Sequence, residues 1–338
     1  MGLQVGDIIP KEEISLEDLS GKVIAIDAFN VLYQFLTTIR QYDGNPLMDS
    51  KGRVTSHLSG LFYRMTNMMS KGLKPVFVFD GKPPKLKLKT QEARKAVKIA
   101  AYEKMKAAGS DEERAKYAGR TSVLTKEVIE ESKELLDALG IPVVQAPSEG
   151  EAQAAFLVHN GDAYAVGSQD YDALLFGADR LVQNLTLAKT RKLASGAVVS
   201  INPRMLELKK ILKEMGINRE QLICLGILVG TDYNPKGVPG IGQKNALKLV
   251  KEHKDSAKLF EEVAKTKEVN FDWKEIFDIF MNHDLAKEVK IEFKKINEQK
   301  LKKLLMEHEF AEKRIDSAID KVEGRKNAKT QKSLKKFF

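Results

Sequence analysis

The sequence predicts an α/β fold in which helices cover both faces of a mostly parallel central sheet. Short apolar runs with the length of buried strands alternate along the chain with segments of helical periodicity. Between Asp80 and Val123 the strand pattern stops, which predicts an inserted basic helical segment. After Asp232 the Gly-rich sequence GVPGIG predicts a hairpin that joins two helices.

The elements of the first half follow the order of a βαβ unit. VIAID, which ends at Asp27, predicts a strand, and AFNVLYQFLTTIR predicts an amphipathic helix after it. A second helix from about Ser56 leads into the strand PVFVFD, which ends at Asp80. IPVVQAP, AYAVGS and RLVQNL predict three more short strands, with helical segments such as EAQAAFLVHN between them. Right-handed crossovers bring the ends of such parallel strands to one edge of the sheet.

The composition is that of a soluble globular protein. Of the 338 residues, 43% are hydrophobic and 30% are charged, and no apolar run approaches the roughly 20 residues of a membrane span. The amino-terminal sequence MGLQVGDIIPKEE has neither a basic leader nor an apolar core, and Gly6 stands where myristoylation requires Ser or Thr. We therefore expect an intracellular protein, which in a prokaryote would be cytoplasmic and located at the nucleoid.

Cysteine and histidine usage argues against several kinds of chemistry. The one cysteine, Cys224, lies in the apolar segment LICLGILVG, where burial is expected. Five histidines are scattered without a metal-ligand spacing or a nucleophile elbow, so zinc sites and Ser/His catalysis have little support. The net charge of +9 favours a polyanionic partner such as nucleic acid.

Acidic residues form the most informative pattern of the chain. SEGE and QDYD each carry two carboxylates one residue apart, and three further aspartates follow apolar runs. Such like charges repel unless a cation lies between them, and oxygen ligands are those that Mg²⁺ and Mn²⁺ prefer. In open α/β sheets the ligand crevice lies at the carboxyl ends of the parallel strands. The predicted metal site consists of Asp27, Asp80, Glu149, Glu151, Asp170, Asp172 and Asp232.

Local structural roles are the alternative for several of these acids. Ser148 and Glu151 fit an N-terminal capping box. Asp27 would cap the helix that follows it, and Asp80 would belong to an ordinary turn. These roles leave Glu149 unexplained, and their coincidence at strand ends favours the metal site.

The predicted insertion is strongly basic. Residues 82 to 120 carry twelve Lys or Arg against five acids, and their periodicity predicts two helices around Gly109 and Ser110. Lys87 and Arg94 are seven positions apart and would lie on nearly the same helix face. Insertions of this length are commonly lids or binding segments, although a solvated charged helix is the alternative.

The Gly-rich hairpin is not a phosphate loop of the nucleotide-binding type. Lys244 stands one position too late after Gly242, and neither Ser nor Thr follows it, which disfavours ATP binding. Backbone amides around Gly240 and Gly242, together with the N-terminus of the next helix, would face a phosphate. A plain helix-helix turn is the alternative.

The C-terminal region predicts packing helices and then a tail. Residues 254 to 314 alternate apolar and charged residues at helical spacing, and the chain becomes polar and basic from Glu323. The tail ends in QKSLKKFF, where Leu334, Phe337 and Phe338 would form one apolar face on a helical turn. A tail without a core has little structural use for two phenylalanines, which favours a partner-docking motif.

Six sequences together resemble the flap endonuclease family of structure-specific nucleases, particularly its archaeal and eukaryotic members. They occur in the family's order between Gly2 and Phe338: DAFNVLYQFL, FVFDGKPPKLK, APSEGEAQAA, GSQDYDALLFG, GTDYNPKGVPGIG and QKSLKKFF. The resemblance implies a structure-specific endonuclease that cleaves at the base of 5′ single-stranded DNA flaps in replication and repair, with 5′–3′ exonuclease activity. The alternatives are a 5′ exonuclease or RNA-directed nuclease of the same superfamily, or a non-catalytic DNA-binding adaptor.

The resemblance also implies roles for individual residues. It implies two Mg²⁺ ions, for which Mn²⁺ can substitute. The ligands are Asp27, Asp80 and Glu149 for one ion, Asp170, Asp172 and Asp232 for the other, and Glu151 between them. Lys87 and Arg94 match the catalytic cations that reach the scissile phosphate, and Tyr33 matches a tyrosine on which a base stacks.

The basic insertion matches the helical arch through which a 5′ flap passes, and the hairpin matches a helix-hairpin-helix that binds duplex DNA. The residues implied to contact the duplex are Gly240, Gly242 and Lys244. A K⁺ ion is also implied at this helix-hairpin-helix. The residues implied to dock on the sliding clamp of replication are Gln331, Leu334, Phe337 and Phe338. A monomer is expected. The implied segments are the N-terminal nuclease region (1–98), the arch (82–122), the internal nuclease region (116–258) with the helix-hairpin-helix (231–255), the packing helices (259–322), and the tail (323–338) with the docking motif (331–338).

Overall fold

Nine strands occur in the computed structural model, which describes residues 5–110, 117, 122–187, 190–192 and 197–324. They are β1 (Glu12–Glu13), β2 (Val23–Asp27), β3 (Lys74–Phe79), β4 (Val143–Gln145), β5 (Ala165–Gly167), β6 (Arg180–Gln183), β7 (Thr190–Lys192), β8 (Val198–Ser200) and β9 (Arg204–Glu207). The central sheet has the order β1-β9-β6-β5-β2-β3-β4, while β7 and β8 pair separately. Strands β6, β5, β2, β3 and β4 run parallel, and β9 and β1 extend the sheet antiparallel. The prediction of a mostly parallel sheet is confirmed.

Thirteen α-helices lie in the described ranges. They are α1 (Ala28–Thr38), α2 (Ser56–Met69), α3 (Lys85–Ala107), α4 (Lys126–Ala138), α5 (Gly150–His159), α6 (Asp172–Leu175), α7 (Leu208–Met215), α8 (Arg219–Val229), α9 (Gln243–Glu252), α10 (Ser256–Thr266), α11 (Trp273–Met281), α12 (Glu298–Glu307) and α13 (Glu312–Val322).

The two faces of the sheet pack against different helices, because successive residues of a strand point to opposite faces. Ala25 of β2 belongs to a core that includes residues of α5, α8 and α9. Ile24 and Ile26 belong to the core on the other face, which includes residues of α1, α2, α4, α12 and α13. Burial on both faces explains why β2 and β3 are continuous apolar runs rather than alternating ones.

The structure contains the start of the predicted basic helical insertion and the predicted Gly-rich connection between two helices. The basic insertion begins with the long helix α3, which ends just before Gly109 as predicted, while most of the second predicted helix lies outside the described residues. Helices α8 and α9 pack together, and residues 230–242 connect them. Within this connection Gly237 has φ 56°, and a Cβ there would lie 2.5 Å from Leu228 O, so the turn requires glycine. Cys224 is buried on α8, as predicted.

The C-terminal region contains the predicted packing helices, but residues 282–297 are not helical. The backbone of this segment bonds to other parts of the chain instead: Lys294 N–H donates to Gly140 O, just after α4, at 3.0 Å. Gln153 Nε2 donates to Ala286 O at 3.0 Å, and Gln153 Oε1 accepts from Ala286 N–H at 2.8 Å. The helical spacing of the sequence was therefore misleading here, since long-range hydrogen bonds replaced those of a helix. Among the described residues of the chain, no helix has the length and apolar character to cross a bilayer.

Candidate active site

Six of the seven predicted acids follow the carboxyl ends of parallel strands. Asp27 is the last residue of β2, and Asp80 directly follows β3. Glu149 and Glu151 flank the start of α5, which follows β4. Asp170 and Asp172 come after β5, and Asp232 comes from the connection between α8 and α9.

These acids form one cluster, in which each acid interacts electrostatically with at least one other. Asp27 interacts with Asp80 and with Asp170. Glu151 interacts with Asp172, Asp27 and Asp170, and so joins the two halves. Asp232 interacts with Asp80 and with Glu149. The structure therefore brings together all seven acids that the sequence singled out. Capping and turn roles of single acids do not by themselves explain this clustering.

The chain turns tightly where β3 and α5 approach each other. Gly150 N–H donates to Asp80 Oδ1 at 2.6 Å, and a Cβ on Gly150 would lie 2.5 Å from the same oxygen. A glycine at this position therefore lets the Asp80 carboxylate reach the first amide of α5. The capping-box interpretation of Ser148 is wrong, because α5 begins one residue later than that motif requires, with Glu149 as its N-cap and without a side-chain cap. Asp27 does cap α1.

Burial and mutual repulsion disfavour the ionised forms of several acids in the cluster. Burial, together with Asp80, raises the pKa of Asp27 to about 8. Burial and the nearby Asp172 raise the pKa of Glu151 well above its ordinary value. Burial also raises the pKa values of Asp80 and Glu149, although Lys87 acts in the opposite direction on both. The cations among the described residues therefore do not balance the charge of these carboxylates.

Lys87 extends from the first turn of α3 into the acidic cluster. Its Nζ contacts Glu149 Oε2 and lies 3.8 Å from Asp232 Oδ2. Burial alone would lower the pKa of Lys87, but Glu149 and Asp80 outweigh it and raise that pKa above its ordinary value. The Lys87 ammonium therefore carries its charge inside the cluster, and its role toward a phosphate stays a prediction.

The donor set fits hard divalent cations. All seven acids provide oxygen. Glu149 Oε1 is buried and has no hydrogen-bond partner among the described residues, as expected of an oxygen that binds a cation. Within the described ranges, no three carboxylate, imidazole or thiol groups are already arranged around a common ion position. The Lys87 ammonium contacts Glu149 Oε2 in this structure, so a cation that binds this second oxygen has to displace it.

Two polar residues that the sequence reasoning missed bind acids of the cluster. Asn30 Nδ2 donates to Asp170 Oδ2 at 2.9 Å. Ser168 Oγ donates to Glu151 Oε1 at 3.1 Å. Asn30 lies in the first turn of α1, three residues after Asp27, and Ser168 directly follows β5. These positions could have marked both residues as candidates, but they do not identify the acid that each residue binds.

Tyr33 of α1, for which the resemblance implies base stacking, lies beside the basic insertion. The Tyr33 side chain is partly exposed, and Lys98 Nζ of α3 lies 4.5 Å from the centroid of its ring and 3.3 Å from its Oη. Lys98 was not predicted from the sequence. Arg94 is a residue of α3, but its side chain lies outside the described portion of the structure.

The hairpin presents glycines and a lysine to solvent. Gly240, Gly242 and Lys244 are all exposed, and Gly240 has φ 79°. Gly242 is the N-cap of α9 and provides no side-chain cap, so it offers the first-turn amides of this helix no side-chain acceptor. A Cβ at Gly240 would lie 3.2 Å from Lys267 Nζ, which adds a second cation beside the hairpin that sequence reasoning did not identify. The predicted docking residues Gln331, Leu334, Phe337 and Phe338 lie outside the described residues.

Comparison with known proteins agrees with these features. A family model for the XPG N-terminal domain matches residues 5–101, and one for the XPG I-region matches residues 140–232. Flap endonuclease 1 of Hyperthermus butylicus is 51% identical over 330 residues, which cover 95% of this chain and 94% of that protein. Flap endonuclease 1 of Pyrococcus horikoshii is 48% identical, over 100% of this chain and 98% of that protein. The solved structure of flap endonuclease-1 from Methanococcus jannaschii is 43% identical, with a TM-score of 0.75 over 95% of this chain and 98% of that chain. With these matches along nearly its whole length, the chain belongs to the flap endonuclease family.

Proposed function

We propose that this protein is a structure-specific nuclease that hydrolyses phosphodiester bonds at the base of 5′ single-stranded DNA flaps in replication and repair. It also has 5′–3′ exonuclease activity. The observation that carries this proposal is the cluster of seven acids at the carboxyl edge of the sheet, into which Lys87 of the basic insertion projects. Relatives that match along the whole chain are flap endonucleases, which supports the choice of substrate.

The cluster is assigned two Mg²⁺ ions, for which Mn²⁺ can substitute. The ligands toward one ion are Asp27, Asp80 and Glu149, those toward the other are Asp170, Asp172 and Asp232, and Glu151 lies between. Bound divalent ions would polarise water and balance charge on the attacking and leaving oxygens of the phosphodiester. Glu149 Oε1, which is buried and has no hydrogen-bond partner in the described part of the chain, supports this assignment.

Lys87 and Arg94 supply positive charge for the scissile phosphate. Seven ionised acids outnumber the charge of two divalent ions, so a phosphate that enters the site needs further cations. Lys87 already lies against Glu149, and Arg94 follows two helical turns later on α3. In this role both are catalytic residues, because they contact the substrate.

The remaining surfaces are assigned to the DNA. The insertion, 82–122, acts as an arch for the single-stranded flap, and Tyr33 stacks on a base beside the cleaved bond. The duplex is bound by the helix-hairpin-helix, 231–255, through Gly240, Gly242 and Lys244, with a K⁺ ion at this element. The N-terminus of α9, which has no side-chain cap at Gly242, and the net charge of +9 support binding of a polyanion.

Two further assignments concern partners. The tail residues Gln331, Leu334, Phe337 and Phe338 dock on the sliding clamp, and the nuclease acts as a monomer. A DNA substrate of this kind requires that the protein works inside the cell, at the nucleoid in a prokaryote. The basic tail with its terminal aromatic pair supports the docking assignment.

The decisive experiment measures cleavage of a DNA duplex that carries a labelled 5′ flap, with Mg²⁺ and with EDTA. We expect a labelled product of about the flap length with Mg²⁺ and none with EDTA. Asp170→Ala protein, purified in the same way, controls for contaminating nucleases. Matched substrates carry no flap, a 3′ flap or an RNA flap.

Three results would contradict the proposal. Equal cleavage of flapped and unflapped duplexes would indicate a 5′ exonuclease without flap specificity. Preference for the RNA flap would indicate an RNA-directed nuclease. Tight binding of the flapped duplex without Mg²⁺-dependent cleavage would indicate a non-catalytic adaptor.

A further inference from the structure

Asn30, in the first turn of α1, lies between two acids that come from different regions of the chain. Its Nδ2 donates to Asp170 Oδ2 at 2.9 Å, and its Oδ1 accepts from Gln169 N–H at 3.3 Å. Its own backbone N–H donates to Asp27 Oδ1 at 3.1 Å. One residue therefore contacts the acid that ends β2 and the acid that follows β5, which is 140 positions away along the chain.

The segment that carries Asp170 is bound on other sides as well. Gln183 Nε2 of β6 donates to Gln169 O at 2.8 Å. Ser168 Oγ accepts from Asp170 N–H at 3.2 Å and donates to Glu151 Oε1 at 3.1 Å. These bonds fix the backbone of the segment, and Asn30 adds a bond to the Asp170 carboxylate itself.

An amide side chain suits this position chemically. It presents a donor to Asp170 and an acceptor to the adjacent backbone N–H without adding charge. Asp27 and Asp170 repel each other, so a neutral donor between them holds one carboxylate without increasing the repulsion. Leucine at this position would have nearly the same size but would lose both side-chain bonds.

We propose that Asn30 is a positioning residue that fixes the Asp170 carboxylate relative to Asp27, so that the two halves of the acidic cluster bind divalent metal together. The proposal rests on the metal-dependent nuclease function proposed above. Asn30 acts through Asp170 and Asp27 and does not itself contact the substrate. Partners that orient metal ligands commonly change metal affinity about 10- to 100-fold when they are removed, which sets the expected size of the effect.

The test measures Mn²⁺ binding to the full-length protein without DNA by titration calorimetry. We expect Asn30→Leu to weaken Mn²⁺ binding about 10-fold, with little change in the melting temperature in EDTA. In flap cleavage, the Mg²⁺ concentration for half-maximal rate should rise by a similar factor, while saturating Mg²⁺ restores most of the rate. Asn30→Ser, which keeps a hydroxyl too short to reach Asp170, should behave in the same way and serves if Asn30→Leu does not fold.

Thr186→Val is the matched control. Thr186 Oγ1 donates to Gln34 Oε1 at 2.9 Å, a bond that also joins α1 to a distant segment, the one after β6, but touches no carboxylate. This variant should keep wild-type Mn²⁺ affinity. Wild-type affinity in either folded Asn30 variant would overturn the proposal, as would an equal loss in Thr186→Val. Wild-type protein that binds Mn²⁺ but does not cleave flaps would contradict the proposed function and leave the Asn30 measurement intact.

Discussion

The Lys87 ammonium contacts the Glu149 carboxylate, and the two side chains are only 15% and 7% exposed. Lys87 belongs to the basic insertion, whereas Glu149 begins the helix after β4, so this ion pair joins the insertion to the acidic cluster. Without divalent metal, Lys87 is a counterion for a carboxylate that would otherwise be buried among like charges. The same contact means that metal and lysine compete for Glu149.

We therefore expect Lys87→Ala to destabilise the protein in EDTA by about 3 kcal/mol, because the substitution leaves a buried carboxylate without its partner. Urea unfolding in EDTA measures the change, and Lys85→Ala, which removes an exposed lysine from the same helix, is the control. Mg²⁺ should raise the melting temperature of wild type and of Lys87→Ala, since it binds the folded state. The increase should be larger for Lys87→Ala. Equal stability of Lys87→Ala and wild type in EDTA would contradict the role as counterion.

Loss of single acids should separate ligands from bystanders. Asp27→Ala and Asp170→Ala should each reduce flap cleavage at least roughly 10²-fold, because each removes charge that the reaction requires in the cluster. Affinity for the flapped duplex should stay within a few-fold of wild type. Asp162→Ala and Asp179→Ala change aspartates outside the cluster and should leave the rate nearly unchanged. The ligand assignment fails if all four variants lose cleavage alike.

Stability should depend on pH through a second group of charged side chains, which lies away from the acidic cluster. His308 is buried, with Nδ1 3.6 Å from Asp49 Oδ2 and Nε2 3.6 Å from Glu131 Oε1. His57 also bonds Glu131, and Arg53 pairs with Asp49. Burial lowers the pKa of His308, although Glu131 and Asp49 act in the opposite direction.

The lowered pKa of His308 means that unfolding takes up a proton. His308 thus contributes stability above its unfolded-state pKa of about 6.5, and this contribution is lost as the pH falls through its lower folded-state value. Urea unfolding at about pH 7.5 and about pH 5.5 should show a smaller decrease in stability for His308→Leu than for wild type. His159→Gln, at the exposed end of α5, should decrease as wild type does. An unchanged decrease in His308→Leu would exclude this histidine as the source.

Removal of the tail should separate clamp stimulation from intrinsic cleavage. A chain that ends at Thr330 should cleave flaps at the wild-type rate without the clamp and should lose the stimulation that the clamp provides, because the apolar docking residues are gone. Phe337→Ala in the full chain should have the same effect, and Lys336→Ala should have little. Stimulation that persists in the shortened chain would remove the docking assignment.

The sequence predicted the strands and the acids well for a common physical reason. A strand buried on both faces must be a continuous apolar run, so β2 and β3 were recognisable, and the polar residues Asp27 and Asp80 marked their ends. The same local reasoning was wrong for Ser148, because a capping pattern does not reveal where a helix actually begins. It was also misleading for residues 282–297, whose backbone bonds to distant regions of the chain.

By itself, the sequence determined the five parallel strands, most of the helices around them, and the acids that stand at the ends of those strands. Only the tertiary structure decided that Lys87 is the lysine of the insertion that reaches Glu149, and that Asn30 is bonded to Asp170. Periodicity and capping are properties of neighbouring residues, whereas these contacts join residues 62 and 140 positions apart. The raised pKa values of the acids have the same origin, because burial and repulsion exist only after the strands have brought the carboxylates together.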